Sequence, residues 1–186
     1  PSDHQMSFYA ATKKATESFA HSYSHLFDIP ITMFRFFTVY GPYGRPDMAY
    51  YSFTKAINEG HPIDVFNNGK MERDFTYIDD IIDGICRLLD HPPAISPNLV
   101  SNAEAAFQVF NIGNNSPVSL RRFIQAIEAA LGKNAVENFM PMQPGDVPIT
   151  YADIGPLKDK FGFNPSTSIE DGINNFVKWY KSSEIR

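Results

Sequence analysis

The sequence predicts an α/β protein whose strands form a largely parallel sheet. A long helical pattern leads through Asp28-Ile29-Pro30 into residues 31–39, which are rich in β-branched and aromatic side chains and apolar on both faces. A strand that is apolar on both faces is typical of a parallel sheet covered by helices. Residues 73–78 and 107–112 also have the pattern of strands, and a helical pattern follows each of them, as in an α/β repeat.

The elements of the first half follow from periodicity and from Gly and Pro. In chain order we expect a helix at 7–27, a strand at 31–39, a loop at 40–46, a helix at 48–59, a strand at 62–66 and a turn with hairpin character at 67–69. Ser7 is a good N-cap for the first helix, and Gly60 ends the second.

The second half continues the alternation. We expect a strand at 73–78, a helix at 80–90, a polar loop at 91–105, a strand at 107–112, a helix at 120–131, a strand at 136–142, a turn at 143–146 and helices at 154–162 and 169–182. Asp79 and Ser119 are expected to cap helices, and Ser168 with Asp171 resembles a capping box. The core face of the helix at 80–90 is expected to consist of Ile81, Ile82, Ile85 and Leu89.

Composition limits the classes of partner and compartment. The 186 residues fit one domain, or one domain and part of another, and the net charge of −5 argues against nucleic acid as the main partner. The single cysteine, Cys86, excludes a disulfide within the chain and suits a reducing cytoplasm. No apolar run reaches the roughly 18 residues of a membrane span, so no membrane partner is expected. Because the chain begins with Pro1, we expect it to be the C-terminal part of a longer protein.

Tyr9 and Lys13 are the first candidates for catalysis. They are four positions apart, so on a helix they lie on one face, one turn from each other. An ammonium beside a phenol favours the phenolate, which can remove a proton from an alcohol. The alternative is a surface lysine near a half-buried tyrosine, and Tyr51 and Lys55 repeat the same spacing.

Other candidates follow from the fold class. Ligands of α/β proteins bind beyond the carboxyl ends of the strands, which makes the end of the strand at 31–39 a candidate site with Thr38, Tyr40, Gly41 and Pro42. His21 and His25 are one helical turn apart, but no third ligand or HExxH pattern accompanies them, so no metal site is expected.

Three strings, taken in order, resemble a known family. Tyr9-xxx-Lys13, Arg35-Phe-Phe-Thr-Val-Tyr-Gly-Pro42 and Arg73-Asp-Phe-Thr-Tyr-Ile-Asp-Asp80 resemble the extended short-chain dehydrogenase/reductases that act on nucleotide sugars. The strings Gly-Arg-Pro-Asp-Met-Ala and Gln-Pro-Gly-Asp-Val narrow the resemblance to the epimerases that interconvert UDP-glucuronate and UDP-galacturonate. The resemblance runs from Pro1 to about residue 181.

The resemblance implies a fold in two parts. It is a remnant of a Rossmann-type parallel sheet together with the smaller α/β substrate-binding domain. Residues 1–42 would be the C-terminal part of the NAD-binding domain and residues 43–186 mainly the substrate-binding domain, with 73–91 and 107–113 returning to the Rossmann part. A homodimer that uses the tyrosine helix is the assembly the resemblance implies.

The resemblance also implies roles at the cofactor. NAD would take hydride from carbon 4 of the sugar while Tyr9 removes the hydroxyl proton, and the 4-keto sugar would turn over before hydride returns. Lys13 would hydrogen-bond the nicotinamide ribose, and the backbone near Phe36 would meet the nicotinamide amide.

Four residues would bind the UDP-sugar. Thr38 would lie near the sugar carboxylate, Arg45 at the sugar–diphosphate side and Arg73 at the UDP phosphates, since hydroxyl and guanidinium donors suit these anions. Asp146 would approach the uridine ribose. For the two arginines and Asp146 the alternative is a surface salt bridge.

The sequence departs from the family in one large respect. It contains neither the Gly-rich dinucleotide loop nor the catalytic Ser/Thr that the family carries on the strand before the tyrosine helix. We therefore expect this polypeptide alone to be inactive. One alternative is a non-catalytic UDP-sugar-binding module. Another is a related nucleotide-sugar dehydratase or decarboxylase, and Thr38 and the string Gly44–Met48 argue against this second alternative.

Overall fold

The structure is a computed structural model that describes residues 4–5, 7–95, 104–143 and 146–183. The middle of the loop expected at 91–105 and the centre of the turn expected at 143–146 lie outside the described residues. The helices are α1 (Phe8–Phe27), α2 (Ala49–Glu59), α3 (Ile78–Leu89), α4 (Leu120–Leu131), α5 (Gly155–Phe161) and α6 (Ile169–Ser183). The strands are β1 (Ile31–Phe36), β2 (Thr38–Tyr40), β3 (Pro62–Val65), β4 (Glu72–Arg73), β5 (Phe75–Tyr77), β6 (Phe107–Ile112), β7 (Val118–Ser119) and β8 (Val136–Phe139).

The predicted parallel sheet is confirmed along the strand that follows α1. β1 pairs in parallel with β6, and β2 pairs in parallel with β5. The single strand expected at 31–39 is divided at Phe37, whose backbone nitrogen still donates to the backbone oxygen of Ile112 at 3.4 Å. One extended stretch of chain therefore changes its partner from β6 to β5 as it approaches its carboxyl end.

The hairpin predicted at 67–69 is wrong. Residues Phe66–Gly69 form a single 3₁₀ turn in which Asn67 and Asn68 have φ angles of 51° and 50°. β3 then pairs in parallel with β8, whereas β4 pairs antiparallel with β7. Asparagine tolerates the left-handed conformation, which explains the turn. The strand that pairs with β3 is not the next one along the chain but β8, from a distant part of the sequence.

The third helix corrects two further predictions. α3 begins at Ile78, with Tyr77 at the N-cap position and no side-chain cap hydrogen bond, so Asp79 is not its cap. Its buried positions are Ile81, Gly84 and Leu88. The predicted core residues Ile82 and Leu89 are 48% and 72% exposed.

The other predicted caps are confirmed. Ser7 accepts a hydrogen bond from the backbone nitrogen of Ala10 at 3.1 Å, and Ser119 accepts one from Arg122 at 3.2 Å. At the start of α6 the Ser168 Oγ accepts from the Asp171 nitrogen at 3.0 Å and donates to the Asp171 Oδ2 at 2.6 Å, so the two residues interact through the serine hydroxyl.

Two hydrophobic clusters hold these elements. The larger joins α2, α4 and α6 to β5, where the Phe75 and Phe123 rings stack with centroids 4.4 Å apart. The smaller contains Ile81, Leu88, Phe110, Ile112, Ala152, Ile154, Leu157 and Phe163. Because buried aromatic side chains contribute large apolar areas to the core, the larger cluster stabilises the carboxyl ends of β2 and β5.

The first helix is covered only in part. Phe19, Tyr23 and Leu26 are exposed, and Ser24 is the one buried residue of α1. None of the described helices is long and apolar enough to cross a membrane.

Candidate active site

Tyr9, Lys13 and Phe36 line one cleft. It has a volume of about 270 Å³ and lies between the first turns of α1 and the end of β1. The Lys13 Nζ is 5.4 Å from the centroid of the Tyr9 ring, so the ammonium lies beside the phenol as the i, i+4 spacing predicts. Tyr9 is 72% exposed, which leaves its hydroxyl accessible to a bound molecule.

An ion pair fixes α1 on β1 beside this cleft. The Arg35 Nε and Nη2 donate to both carboxylate oxygens of Glu17 at 2.6 Å and 2.7 Å. The hydrogen bond from Arg35 lowers the pKa of Glu17 to about 2, against the effect of burial and with help from Lys14 at 3.0 Å. Glu17 is one turn from Lys13, so the pair holds the face of α1 that carries Tyr9 and Lys13. Sequence analysis did not identify this pair.

Thr38, Arg73 and Asp146 line a second cavity, of about 220 Å³. They come from β2, from β4 and from the segment after β8, so residues far apart in sequence meet here. The Arg73 Nη2 donates to the Asp146 Oδ1 at 2.6 Å, and the Arg73 Nη1 donates to the backbone oxygens of Glu72 at 3.0 Å and Pro148 at 3.3 Å. The guanidinium is therefore held in one orientation at the cavity wall.

Most of the residues that line this cavity were missed from the sequence. Asp64 and Phe66 line it together with Phe53 and Met71. Ile63 and Val65 are buried in the core, so the alternating pattern of β3 places Asp64 on the opposite face. That alternation was the available signal, but it indicates only which face is free and not what the face encloses.

Arg45 does not line either cleft. Its Nε and Nη2 donate to the two carboxylate oxygens of Asp47 at 3.0 Å and 2.6 Å, and both side chains are exposed. The hydrogen bond to Asp47 raises the pKa of Arg45, and Tyr9 and Tyr50 add smaller electrostatic contributions. Arg45 thus lies within electrostatic range of Tyr9 while paired with its own loop.

The Tyr40 side chain lies in the core. It is 1% exposed, and its hydroxyl donates to the backbone oxygen of Ser168 at 3.3 Å. Burial raises its pKa, with smaller contributions from nearby acidic residues. The end of β2, which the sequence makes a candidate site, therefore packs the Tyr40 side chain into the larger cluster, while Thr38 of the same strand lines the second cavity. Within the described part of the chain, no group of three or more His, Cys, Asp or Glu side chains could hold a metal ion.

Comparisons with known proteins identify relatives of this arrangement. A sequence profile of the NAD dependent epimerase/dehydratase family matches residues 1–113. Protein CapI of Staphylococcus aureus is 54% identical over 186 residues, which cover 96% of this chain and 55% of that protein. A probable UDP-glucuronate 4-epimerase of Rhizobium meliloti is 48% identical over 191 residues, which cover 99% of this chain and 56% of that protein.

A solved structure is similar to this chain over nearly its whole length. The UDP-glucuronic acid 4-epimerase of Bacillus cereus, in complex with UDP-glucuronic acid and NAD, superposes with a TM-score of 0.82 at 35% identity. The match covers 97% of this chain and 54% of that one. The chain thus spans about half the length of the relatives it matches.

Proposed function

The chain belongs to the NAD dependent epimerase/dehydratase family, and on that premise we propose that its protein interconverts UDP-glucuronate and UDP-galacturonate. The reaction is an NAD-dependent epimerisation at carbon 4 through a 4-keto sugar. This chain would supply the catalytic tyrosine and lysine and most of the substrate-binding residues.

One observation carries the proposal. Phe36 lines the cleft of Tyr9 and Lys13, and Thr38, two positions further along the same extended stretch, lines the cavity of Arg73 and Asp146. Two residues of extended chain span roughly 7 Å. A molecule with an anionic half in the cavity could therefore present its sugar to Tyr9, as a nucleotide-sugar requires.

The cavity has the chemistry of a nucleoside diphosphate site. The Arg73 guanidinium would bind the phosphates. The Asp146 carboxylate, which already accepts from Arg73, would also accept hydrogen bonds from the ribose hydroxyls. Phe66 offers an aromatic face on which uracil would stack. The ligand named for the Bacillus cereus structure, UDP-glucuronic acid, has these three parts.

The sugar would extend from the cavity along the end of β2. Thr38 would donate its hydroxyl to the sugar carboxylate. Arg45 would exchange its pairing with Asp47 for the sugar–diphosphate side of the substrate, since that pair is exposed and Arg45 lies within electrostatic range of Tyr9. An exposed ion pair has little net stability, so this exchange costs little.

The fit to NAD is partial. The cleft of Tyr9, Lys13 and Phe36 has room for one end of a dinucleotide, with the lysine placed to meet a ribose hydroxyl and a strand-end backbone placed to meet an amide. The sequence holds no Gly-rich loop for the diphosphate of NAD. When bound, NAD would supply the hydride acceptor and donor that epimerisation at carbon 4 needs.

The residues of this chain would handle the proton. Tyr9, as phenolate, would take the proton of the 4-hydroxyl and later return it, and the Lys13 ammonium would favour the phenolate. The Glu17–Arg35 pair would keep α1 at a fixed distance from Phe36 while this occurs.

Assembly and domain division follow from the same proposal. The exposed apolar side chains of α1, among them Phe19, Tyr23 and Leu26, would form the contact of a homodimer. The proposed division assigns residues 1–42, 73–91 and 107–113 to the NAD-binding part and the remainder to the substrate-binding part. The two parts would pack closely, since the larger hydrophobic cluster includes Tyr40, Phe75 and Tyr77 and the smaller one includes residues from the range 152–163.

The test is turnover by the complete protein that contains this chain. We would incubate it with NAD and UDP-glucuronate and follow the sugar protons by NMR. UDP-galacturonate is the expected product, and Tyr9→Phe should abolish its formation. A UDP-pentose would indicate a decarboxylase, a dehydrated keto-sugar would indicate a dehydratase, and UDP binding without turnover would indicate a binding module, so each would overturn the proposal.

A further inference from the structure

A fully buried carboxylate, that of Asp74, lies beside the proposed substrate cavity. Asp74 is 0% exposed, and none of the ion pairs found among the described residues includes it. Its partners are instead backbone nitrogens. The Oδ1 accepts from Asn114 at 2.7 Å, and the Oδ2 accepts from Asn115 at 2.9 Å and from Ala152 at 2.7 Å. The Thr76 hydroxyl adds a longer contact to Oδ1 at 3.4 Å.

These partners belong to two separate segments. Asn114 and Asn115 follow β6, and Asn115 has a φ of 54°, so two successive N–H groups converge on one carboxylate. Ala152 lies in the segment that begins with Asp146 and continues into α5. One side chain therefore ties two connections to the gap between β4 and β5.

The backbone around Asp74 explains why a side chain is needed there. Glu72 pairs in parallel with residues 148–150, because its nitrogen donates to Pro148 at 2.8 Å and its oxygen accepts from Thr150 at 3.2 Å. In a regular parallel ladder the next acceptor for the Ala152 nitrogen would be the backbone oxygen of Asp74. That oxygen accepts from Thr38 at 3.1 Å instead. The Asp74 carboxylate takes its place and continues the ladder.

Asp74 thus connects all three sequence-predicted residues of the cavity. Its backbone oxygen holds Thr38, it directly follows Arg73, and its side chain anchors the segment that carries Asp146. The same segment provides the Pro148 oxygen that orients the Arg73 guanidinium. Movement of this segment would change the position of both charged groups at the cavity wall.

We propose that Asp74 is a positioning residue that preforms the diphosphate-binding site, by holding the segment 146–152 and the Asn114–Asn115 turn in place before substrate binds. The inference rests on the proposed function, since it assigns UDP to the cavity. A preformed site avoids the cost of ordering two loops when the ligand binds, and so raises affinity without touching the ligand.

Asp74→Asn is the direct test because it changes the shape little. A carboxylate can accept on both oxygens, whereas an amide accepts on one and presents N–H groups at the other. In the variant the side-chain NH₂ group would replace one carboxylate oxygen and point at backbone N–H groups, which cannot accept a hydrogen bond. The segment that contains those N–H groups would therefore be released. Binding of UDP to the complete protein, measured by calorimetry, should weaken by 10-fold or more, while kcat at saturating UDP-glucuronate changes by less than about 3-fold.

Two controls separate positioning from general damage. Thr76→Val removes only the 3.4 Å contact to the same carboxylate and should leave UDP affinity within about 2-fold. In a double-mutant cycle, Asp74→Asn should lose most of its effect on UDP affinity when Arg73 is already Met, because it acts through that guanidinium. A structural role alone would lower the melting temperature but give additive effects in this cycle.

Hydrogen exchange in the wild-type protein tests the inference even if Asp74→Asn does not fold. The amides of Asn114, Asn115 and Ala152 should be protected without UDP. Rapid exchange of all three in the free protein, unchanged UDP affinity in a folded Asp74→Asn variant, or additivity in the cycle would each overturn the proposal. A wild-type protein that does not bind UDP would instead refute the proposed function, and the inference with it.

Discussion

Arg73 and Asp146 are 73 positions apart in the sequence, and an η nitrogen of the first lies 2.6 Å from a carboxylate oxygen of the second. The pair forms at the wall of a cavity and holds the guanidinium, the proposed phosphate-binding group, in one orientation. We predict that Arg73→Met weakens UDP binding about 10- to 100-fold, because a hydrogen bond to a charged group contributes roughly 1.5–3 kcal/mol. Calorimetric titration of the complete protein with UDP measures this.

The matched control for Arg73 is Arg122. It forms a two-point ion pair with Glu170 at 2.8 Å and 2.9 Å, outside the cavity. Arg122→Met should leave the affinity for UDP unchanged. Equal weakening by both substitutions would show that Arg73 acts through net charge and not through contact with the phosphates.

Tyr9→Phe removes the proposed proton acceptor. The Tyr9 hydroxyl is exposed in its cleft with Lys13 beside it, so the substitution deletes one oxygen with little effect on packing. We predict a loss of kcat of about 1,000-fold, near the middle of the range for general acid–base catalysis, with little change in KM. Tyr51→Phe, in the second Tyr-xxx-Lys pair, should retain wild-type kcat. A Tyr9→Phe enzyme with more than a tenth of the wild-type rate would contradict the assignment.

Phe66→Ala tests the base-binding end of the cavity. Stacking of a base on an aromatic ring contributes about 1–3 kcal/mol, so KM for the UDP-sugar should rise roughly 10-fold or more while kcat changes little. Phe139→Ala is a suitable control, since Phe139 is half-exposed on the neighbouring strand β8 and does not line the cavity. Steady-state kinetics of both variants decide the point, and similar KM values for the two would argue against stacking.

The Glu17–Arg35 pair gives a pH dependence with a definite sign. The pKa of Glu17 is lowered in the folded protein to about 2 from an ordinary value of 4.5, so the pair stabilises the fold fully above about pH 5. The stabilisation is lost as the pH falls from about 4.5 towards 2. Because Arg35 is partly exposed, we predict that Glu17→Gln costs only about 1 kcal/mol at pH 7.

Urea unfolding of wild type and Glu17→Gln at pH 7 and pH 3 measures this difference, which should shrink at the lower pH. Asp83→Asn, in the exposed pair with Arg87, serves as the control and should change stability by less than about 0.5 kcal/mol at both values. A difference for Glu17→Gln that grows on acidification would contradict the predicted sign.

Gly172→Ala tests the junction between α6 and β2. A Cβ at Gly172 would lie 2.1 Å from the Tyr40 hydroxyl, and Tyr40 is buried in the core. Overpacking of this kind should destabilise the protein by about 3 kcal/mol. Asn174→Ala, at an exposed position of the same helix, should change stability by less than about 0.5 kcal/mol, and thermal unfolding compares the two.

The sequence predicted the elements better than their partners. The caps at Ser7, Ser119 and Ser168 depend on neighbours three positions away, so local chemistry determines them. The pairing of β3 with β8 joins segments about 74 positions apart, and no local pattern indicates it. For the same reason the local pattern at 67–69 predicts a turn correctly but assigns it to a hairpin, because the strand that pairs with β3 comes from β8.

The same distinction applies to the candidate site: local sequence indicates some of its residues, and only the fold indicates the others. Residue type and spacing made Tyr9 and Lys13 candidates, and the family resemblance added Arg73. The proposed roles of Asp74 and Phe66 depend on backbone groups and cavity walls that the fold brings together, so a sequence pattern cannot distinguish these residues from those of an ordinary strand. Ile82 and Leu89 failed as core residues because the apolar stripe of α3 is wider than the surface that covers it.

The most direct test of the central claim follows the hydrogen on carbon 4. UDP-glucuronate deuterated at that carbon would be supplied, with NAD, to the complete protein in ordinary water, and the product would be analysed by NMR and mass spectrometry. We predict UDP-galacturonate that retains deuterium at carbon 4, because the hydrogen removed from that carbon returns to its other face. Loss of the label to solvent, or its appearance at another carbon, would contradict epimerisation through a 4-keto sugar at this site.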